Sequence, residues 1–168
     1  MRKRKVILLG STGSIGTSAI KVAETIPDRM EVAGMAAFQS AAKLAEAANH
    51  LRPEAICLVD PAGTRELRSR LTYDPLIFTG EQGLIDLATL PGADLVLVAI
   101  TGTAGLRPAL AAIECGKDIA IASKEILVMA GQAVMERARK KGVLILPVLG
   151  NCATGWHTTR SSSRENRA

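Results

Sequence analysis

The chain has 168 residues, of which 48% are hydrophobic, 22% charged and only 2% aromatic. That length builds one ordinary domain with a real core, and no uncharged apolar run approaches the ~20 residues that a membrane-spanning helix needs. The net charge of +5 comes from Arg2-Lys3-Arg4-Lys5 and from Arg160, Arg164 and Arg167, around a body close to neutral. Such a distribution reads as solvated termini and not as a nucleic-acid stripe. With Phe38, Tyr73, Phe78 and Trp156 as the aromatics, the chain has little to offer as a base-stacking platform for nucleic acid either.

Val6-Ile7-Leu8-Leu9 is the first buried strand, and it is too short for the apolar core of a signal peptide. Ile15, Ala19, Val22/Ala23 and Ile26 then recur at helical spacing until Pro27-Asp28 stops the helix. Glu31 to Ala37 reads as a second strand, and Ala41, Leu44, Ala45, Ala48 and Leu51 share one helical face. Ala55 to Val59 is a third strand closed by Asp60-Pro61, with a polar surface helix over Arg65 to Leu71. A short strand near Leu76-Ile77-Phe78 and a helix from Glu81 to Leu90 follow.

Leu95 to Ile100 is the most hydrophobic run, and its lack of alternation suits a central parallel strand covered on both faces. Pro108 to Cys115 predicts a helix, Ile119 to Ala122 a strand, and Leu127, Ala130, Val134, Met135 and Ala138 a last helix capped by Gly142. Val143 to Leu146 is the final strand. This alternation predicts an α/β, doubly wound, mostly parallel sheet with helices on both faces. Residues 1–148 form the domain, and residues 149–168, without period and with few aliphatics, are expected to be a disordered or aberrant tail.

Four places offer chemistry. The first strand runs into Gly10-Ser11-Thr12-Gly13-Ser14-Ile15-Gly16, which opens the first helix. Glycines there allow a tight turn and let backbone N–H groups approach a pyrophosphate at the helix N-terminus. This is the Rossmann arrangement, in the spacing G-x-x-G-x-x-G; turn glycines of purely structural purpose remain an alternative from the residues alone. After the second strand, Ala37-Phe38-Gln39-Ser40 carries neither the acid that marks NAD nor the base that marks NADP, although Gln39 and Ser40 can donate to a 2′-phosphate. Small residues at Thr101-Gly102-Thr103-Ala104-Gly105 leave room at a sheet edge or form an ordinary loop. By residue type, Ser123-Lys124-Glu125 reads more often as a solvated helix start than as groups facing a cofactor.

Cys57, Cys115 and Cys152 are widely spaced, and His50 and His157 are isolated, so no zinc pattern is present. The thiols suit a reducing, cytoplasmic setting.

Taken together, Val6 to Gly16, Val98 to Leu106, Ala111 to Lys117 and Ile121 to Val128 resemble 1-deoxy-D-xylulose 5-phosphate reductoisomerases over about residues 5–148. That resemblance implies an NADPH-dependent oxidoreductase of isoprenoid precursor synthesis, a homodimer acting on a sugar phosphate to give 2-C-methyl-D-erythritol 4-phosphate. It implies that Gly10, Thr12, Gly13, Ser14, Ile15 and Gly16 hold the cofactor phosphates, and that Ala37 and Gln39 lie at its adenosine ribose. Ser123 and Glu125 would flank its nicotinamide, and Lys124 would hold substrate.

Two substitutions depart from the family pattern: Phe38 where many members carry a base, and Ser123 for the usual asparagine. A larger departure follows Val148. The family continues into Asp-Ser-Glu-His, whose carboxylates hold magnesium or manganese, whereas Leu149-Gly150-Asn151-Cys152 supplies none. No metal site and no complete catalytic set are therefore expected, and the change of composition reads as a shifted frame or a truncation. A free-standing nucleotide-binding module or inactive remnant is the second reading. A semialdehyde or homoserine dehydrogenase is the remoter third, with no cysteine at a nucleophile position to support it.

Overall fold

The computed structural model describes residues 2–148. The elements are β1 (Arg4–Leu9), α1 (Ser14–Thr25), β2 (Met30–Ala37), α2 (Ala41–Leu51), β3 (Ala55–Leu58), α3 (Thr64–Arg70) and β4 (Leu76–Thr79). They continue with α4 (Gly80–Ala88), β5 (Leu95–Val98), α5 (Leu106–Glu114), β6 (Asp118–Ile121), α6 (Lys124–Lys141) and β7 (Ile145–Pro147). The seven strands form one sheet in the order β4-β3-β2-β1-β5-β6-β7, and every pairing is parallel. The expectation of a mostly parallel sheet is thus met in full by the described strands.

Alternation along each strand divides the core between two faces. Ile7, Leu9, Ala55, Cys57, Val96, Val98, Ile119 and Ile121 point to one face, where Leu84, Leu87, Ala112, Ile113 and Val134 of α4, α5 and α6 cover them. Val6, Leu8, Ile56, Leu58, Leu97 and Ala120 point to the other, under Ala23, Leu44, Ala45, Ala48 and Leu67 of α1, α2 and α3. In β2 the register slips: Val6 pairs with Val32 but Ile7 with Gly34, leaving Ala33 as a bulge. Across the shifted register, Gly34 admits close packing, since a Cβ there would meet Leu87 Cδ1 at 2.9 Å.

Several boundaries differ from the sequence reading, each for a local reason. β5 ends at Val98, although Ala99 N–H still donates to Leu9 O at 2.8 Å before the crossover loop begins. α5 starts at Leu106 and takes Pro108 into its first turn, where a missing N–H costs nothing. α6 starts at Lys124, so its N-terminal residues are helical before the apolar face begins. On α1, Val22 and Ile26 are exposed, and Gly16 and Ala23 are the buried positions.

β7 begins two residues later and ends one residue later than expected and borders the sheet, with Leu144 before it and Leu146 within it exposed. The backbone of that edge is blunted: Val148 N–H donates to Ile121 on the paired side, which leaves Pro147 on the outer side with no N–H to offer. No helix among the described residues is long and apolar enough to cross a membrane. The expected tail, residues 149–168, lies outside the described residues.

The basic N-terminal run is exposed but not unpaired. Arg2 meets Asp94 at 3.0 Å, Arg4 meets Asp118 at 2.8 Å, Lys3 meets Glu31 at 3.5 Å, and Lys5 pairs with Glu54. These acids sit at or near the amino ends of β2, β3, β5 and β6, so the run is neutralised by the sheet's own rim. The terminus is thus solvated, as expected, and also paired.

Candidate functional site

The strand order reverses between β1 and β5, one leading outward through β2 to β4 and the other through β6 to β7. Crossover helices leave β1 and β5 on opposite faces, which opens a crevice at their carboxyl ends. Gly10 sits at that point with φ +97°, and a Cβ on it would lie 2.6 Å from the Ala99 carbonyl oxygen. Ala99 N–H in turn donates to Leu9 O at 2.8 Å. Only glycine satisfies both the left-handed backbone and this approach of the two strands.

Gly16, in the first turn of α1, has a different reason: its Cβ would fall 2.2 Å from Gly10 O and 2.6 Å from Ser11 Cα. The helix therefore presses directly onto the loop. Gly13 is exposed and unconstrained by comparison, for a Cβ would meet Gly10 O at an ordinary 3.6 Å. The three glycines thus separate into two required by packing and one that keeps a surface bare.

Ser11 closes the loop from beneath. It is buried, its N–H donates to Ala36 O at 2.8 Å and its hydroxyl donates to the same carbonyl at 3.0 Å. Sequence reasoning assigned Ser11 no role; a serine between two glycines gives no sign of which way it points. Beyond it, α1 has Gly13 as its N-cap and no side-chain cap. The N–H groups of Thr12, Ser14, Ile15 and Gly16 find no acceptor among the described residues. Half-buried Thr12 and exposed Ser14 flank this set, and Ile15 packs into the core below it. Four orphan donors at a helix N-terminus, with no acidic residue in its first turn, are suited to receive an anion.

Two further loops reach the same end of the sheet. Ala37 is buried at the end of β2, while Phe38 and Gln39 are exposed. The loop after β5 carries Gly102 at φ +74°, and Gly105 is a packing glycine whose Cβ would meet Val98 Cγ1 at 2.5 Å. Ser123, buried at the end of β6, binds that loop: its hydroxyl lies 3.2 Å from Gly102 O and 2.9 Å from Glu125 Oε2. The Glu125 carboxylate is held below the usual range by its own backbone N–H and then by the Ser123 hydroxyl, so it stays ionised into more acidic solution. Lys124 is exposed at the start of α6 and has no ion-pair partner among the described residues.

Neither described cysteine joins these loops: Cys57 is buried, with its thiol pushed up to about 12 by burial, and Cys115 is exposed. Cys152 lies outside the described residues. No group of three or more His, Cys, Asp or Glu side chains among the described residues is placed to hold a metal ion.

A parallel sheet with a strand-order reversal, a glycine loop on its first strand and orphan N–H groups at the following helix define a Rossmann-class dinucleotide-fold domain. The family is narrower than that class. A family model for 1-deoxy-D-xylulose 5-phosphate reductoisomerase matches residues 6–131, and the chain belongs to that family. It is 45% identical over 145 residues to the reductoisomerase of Exiguobacterium sibiricum, covering 86% of this chain and 38% of the relative. To that of Anaeromyxobacter dehalogenans it is 44% identical, covering 86% and 37%.

Among solved structures, the Zymomonas mobilis reductoisomerase in complex with NADPH superposes with a TM-score of 0.81 at 36% identity. That match covers 87% of this chain and 38% of the other. The chain therefore spans well under half the length of the relatives it matches. A homoserine dehydrogenase from Thiobacillus denitrificans, at 20% identity and a TM-score of 0.55, shares the fold alone.

Proposed function

We propose that this chain is the NADPH-binding portion of a 1-deoxy-D-xylulose 5-phosphate reductoisomerase, with residues 1–148 as its NAD(P)-binding domain. The observation that carries the proposal is the set of N–H groups at Thr12, Ser14, Ile15 and Gly16 without acceptors among the described residues, held in place by Gly10 and Gly16, whose positions leave no room for a Cβ. In this reading Gly13 leaves space for the pyrophosphate, Gly10 fixes the turn that presents it, and Thr12, Ser14, Ile15 and Gly16 donate to it. Ala37 and Gln39 adjoin the adenosine ribose. Ser123 positions Glu125 at the nicotinamide side, and Lys124 supplies a cation for the phosphate of a sugar substrate. The cofactor supplies a hydride; the chain's residues bind it, orient it and keep the β1 and β5 loops fixed around it.

The metal does not fit in the same way. β7 leads into Leu149-Gly150-Asn151-Cys152, with no carboxylate for a hard divalent ion. No step of the rearrangement is derived through magnesium or manganese on this chain. The homodimer and the cytoplasmic setting implied by the family belong to the same proposal.

Gly13 gives the cleanest test, because its side-chain position is open. Gly13→Asp should leave the fold intact and abolish NADPH binding by filling the anion site with like charge. A fluorescence titration of NADPH against both proteins measures this. If the parent fails to bind below millimolar concentration, or if Gly13→Asp binds as well as the parent, the loop is structural only.

A further inference from the structure

The ribose end of the site carries an inference that rests on the cofactor reading above. In dinucleotide folds the side chain just past the second strand discriminates the adenosine ribose. A carboxylate accepts from the 2′-hydroxyl and repels a 2′-phosphate, whereas a guanidinium or ammonium pairs with that phosphate. Here the strand ends at buried Ala37, and the next side chain is Phe38, 61% exposed. The ring stands on a fixed base: Phe38 O accepts from Asp60 N–H at 2.7 Å, and Ala37 O accepts from Val59 N–H at 3.0 Å.

Nothing charged takes over the discriminating role in this run. Gln39 and Ser40 follow Phe38, and Ser40, the N-cap of α2, spends its hydroxyl on no capping bond. Asp60, tied to the same strand end, engages Oδ1 with Ala62 N–H at 3.0 Å. The cation–ring contact among the described residues joins Arg52 to Tyr73 and leaves the Phe38 ring clear. A large flat apolar face in water, on a rigid strand end, is suited to stack a purine base. Neutral donors beside it serve a hydroxyl or a phosphate.

We infer that Phe38 stacks on the adenine of the cofactor and leaves the site nearly indifferent to the 2′-phosphate, so that NADH and NADPH bind with comparable affinity. Adenine is common to both, so the ring strengthens both equally. The 2′-phosphate meets donors without a full positive charge and gains little over a hydroxyl.

Titration of the 168-residue chain with NADPH and with NADH, at one low ionic strength, should give dissociation constants within about tenfold of each other. Phe38→Ala should weaken both by a similar factor, ~5- to 100-fold, through loss of one ring–base stack. Phe38→Arg should tighten NADPH relative to NADH by ~10-fold or more, as a charge-assisted bond to phosphate is gained. Circular dichroism checks that each variant folds, and Phe38→Leu, which keeps apolar bulk without the π-face, replaces Phe38→Ala if it does not. A preference of the parent for NADPH beyond tenfold overturns the inference and leaves the cofactor reading standing. So does a Phe38→Ala or Phe38→Leu variant that binds both as tightly as the parent. Binding of neither nucleotide overturns the cofactor reading and this inference with it.

Discussion

The two rims of the sheet are made of the same backbone and treat their polar groups in opposite ways. At the amino ends of the strands, donors and acceptors satisfy one another: Arg2 with Asp94, Arg4 with Asp118, Lys3 with Glu31 and Lys5 with Glu54. Buried Lys117 donates to Leu90 O at 2.7 Å and to Ala93 O at 3.0 Å, and Asp118 accepts from Leu144 N–H at 2.9 Å. At the carboxyl ends, and among the described residues, the N–H groups of Thr12, Ser14, Ile15 and Gly16 are left without acceptors and Lys124 has no ion-pair partner. A rim that spends its hydrogen bonds internally contributes stability, whereas one that withholds them is arranged for a ligand.

Substitutions break this contrast in order of size. Gly16→Ala should be the most disruptive, because its Cβ would meet backbone atoms of Gly10 and Ser11 that no side-chain rotation can move. A loss of ~3 kcal/mol or more is expected, at or above the upper end for overpacking, together with loss of NADPH binding; thermal and urea unfolding measure it. Lys117→Met should cost less, ~1–3 kcal/mol, by leaving Ala93 O without its donor and Leu90 O with only the long bond from Ala93 N–H at 3.4 Å, and should leave cofactor affinity unchanged.

Lys117 also carries a pH signature. Burial holds its ammonium below the ordinary lysine range, so in alkaline solution the unfolded chain binds this proton more tightly than the folded one. Stability from this group therefore rises with pH between the folded pKa and the ordinary lysine value, and Lys117→Met should remove that slope. The smallest effect belongs to Arg4→Ala, which opens a half-exposed pair with Asp118. It should change stability by less than ~1 kcal/mol, and by less again in high salt.

The same contrast explains what was legible in the sequence. Each strand and helix was readable, because apolar runs such as Val6 to Leu9 and helical repeats such as Ala41 to Leu51 depend on local periodicity. The glycine loop was readable because Gly10, Gly13 and Gly16 form a spaced motif, but not the separate reasons for them. Those come from Ala99, about ninety positions away in sequence, and from contact of α1 with its own loop. Ser11 and Lys117 escaped notice since burial of a single polar residue leaves no pattern. The ion pairs of the charged N-terminus were not legible for a related reason: its acids, Glu31, Glu54, Asp94 and Asp118, are dispersed along the chain and meet only when parallel strands align.

Amide hydrogen exchange with and without NADPH tests the division between the rims most directly. Bound cofactor should slow exchange at residues 12–16, with lesser protection at residues 37–40 and 99–103. Residues 2–5, 94 and 117–118 should exchange at the same rates as in the free chain. Protection centred on the amino-end rim, or none at residues 12–16 when NADPH is saturating, would contradict the assignment of the carboxyl ends as the site.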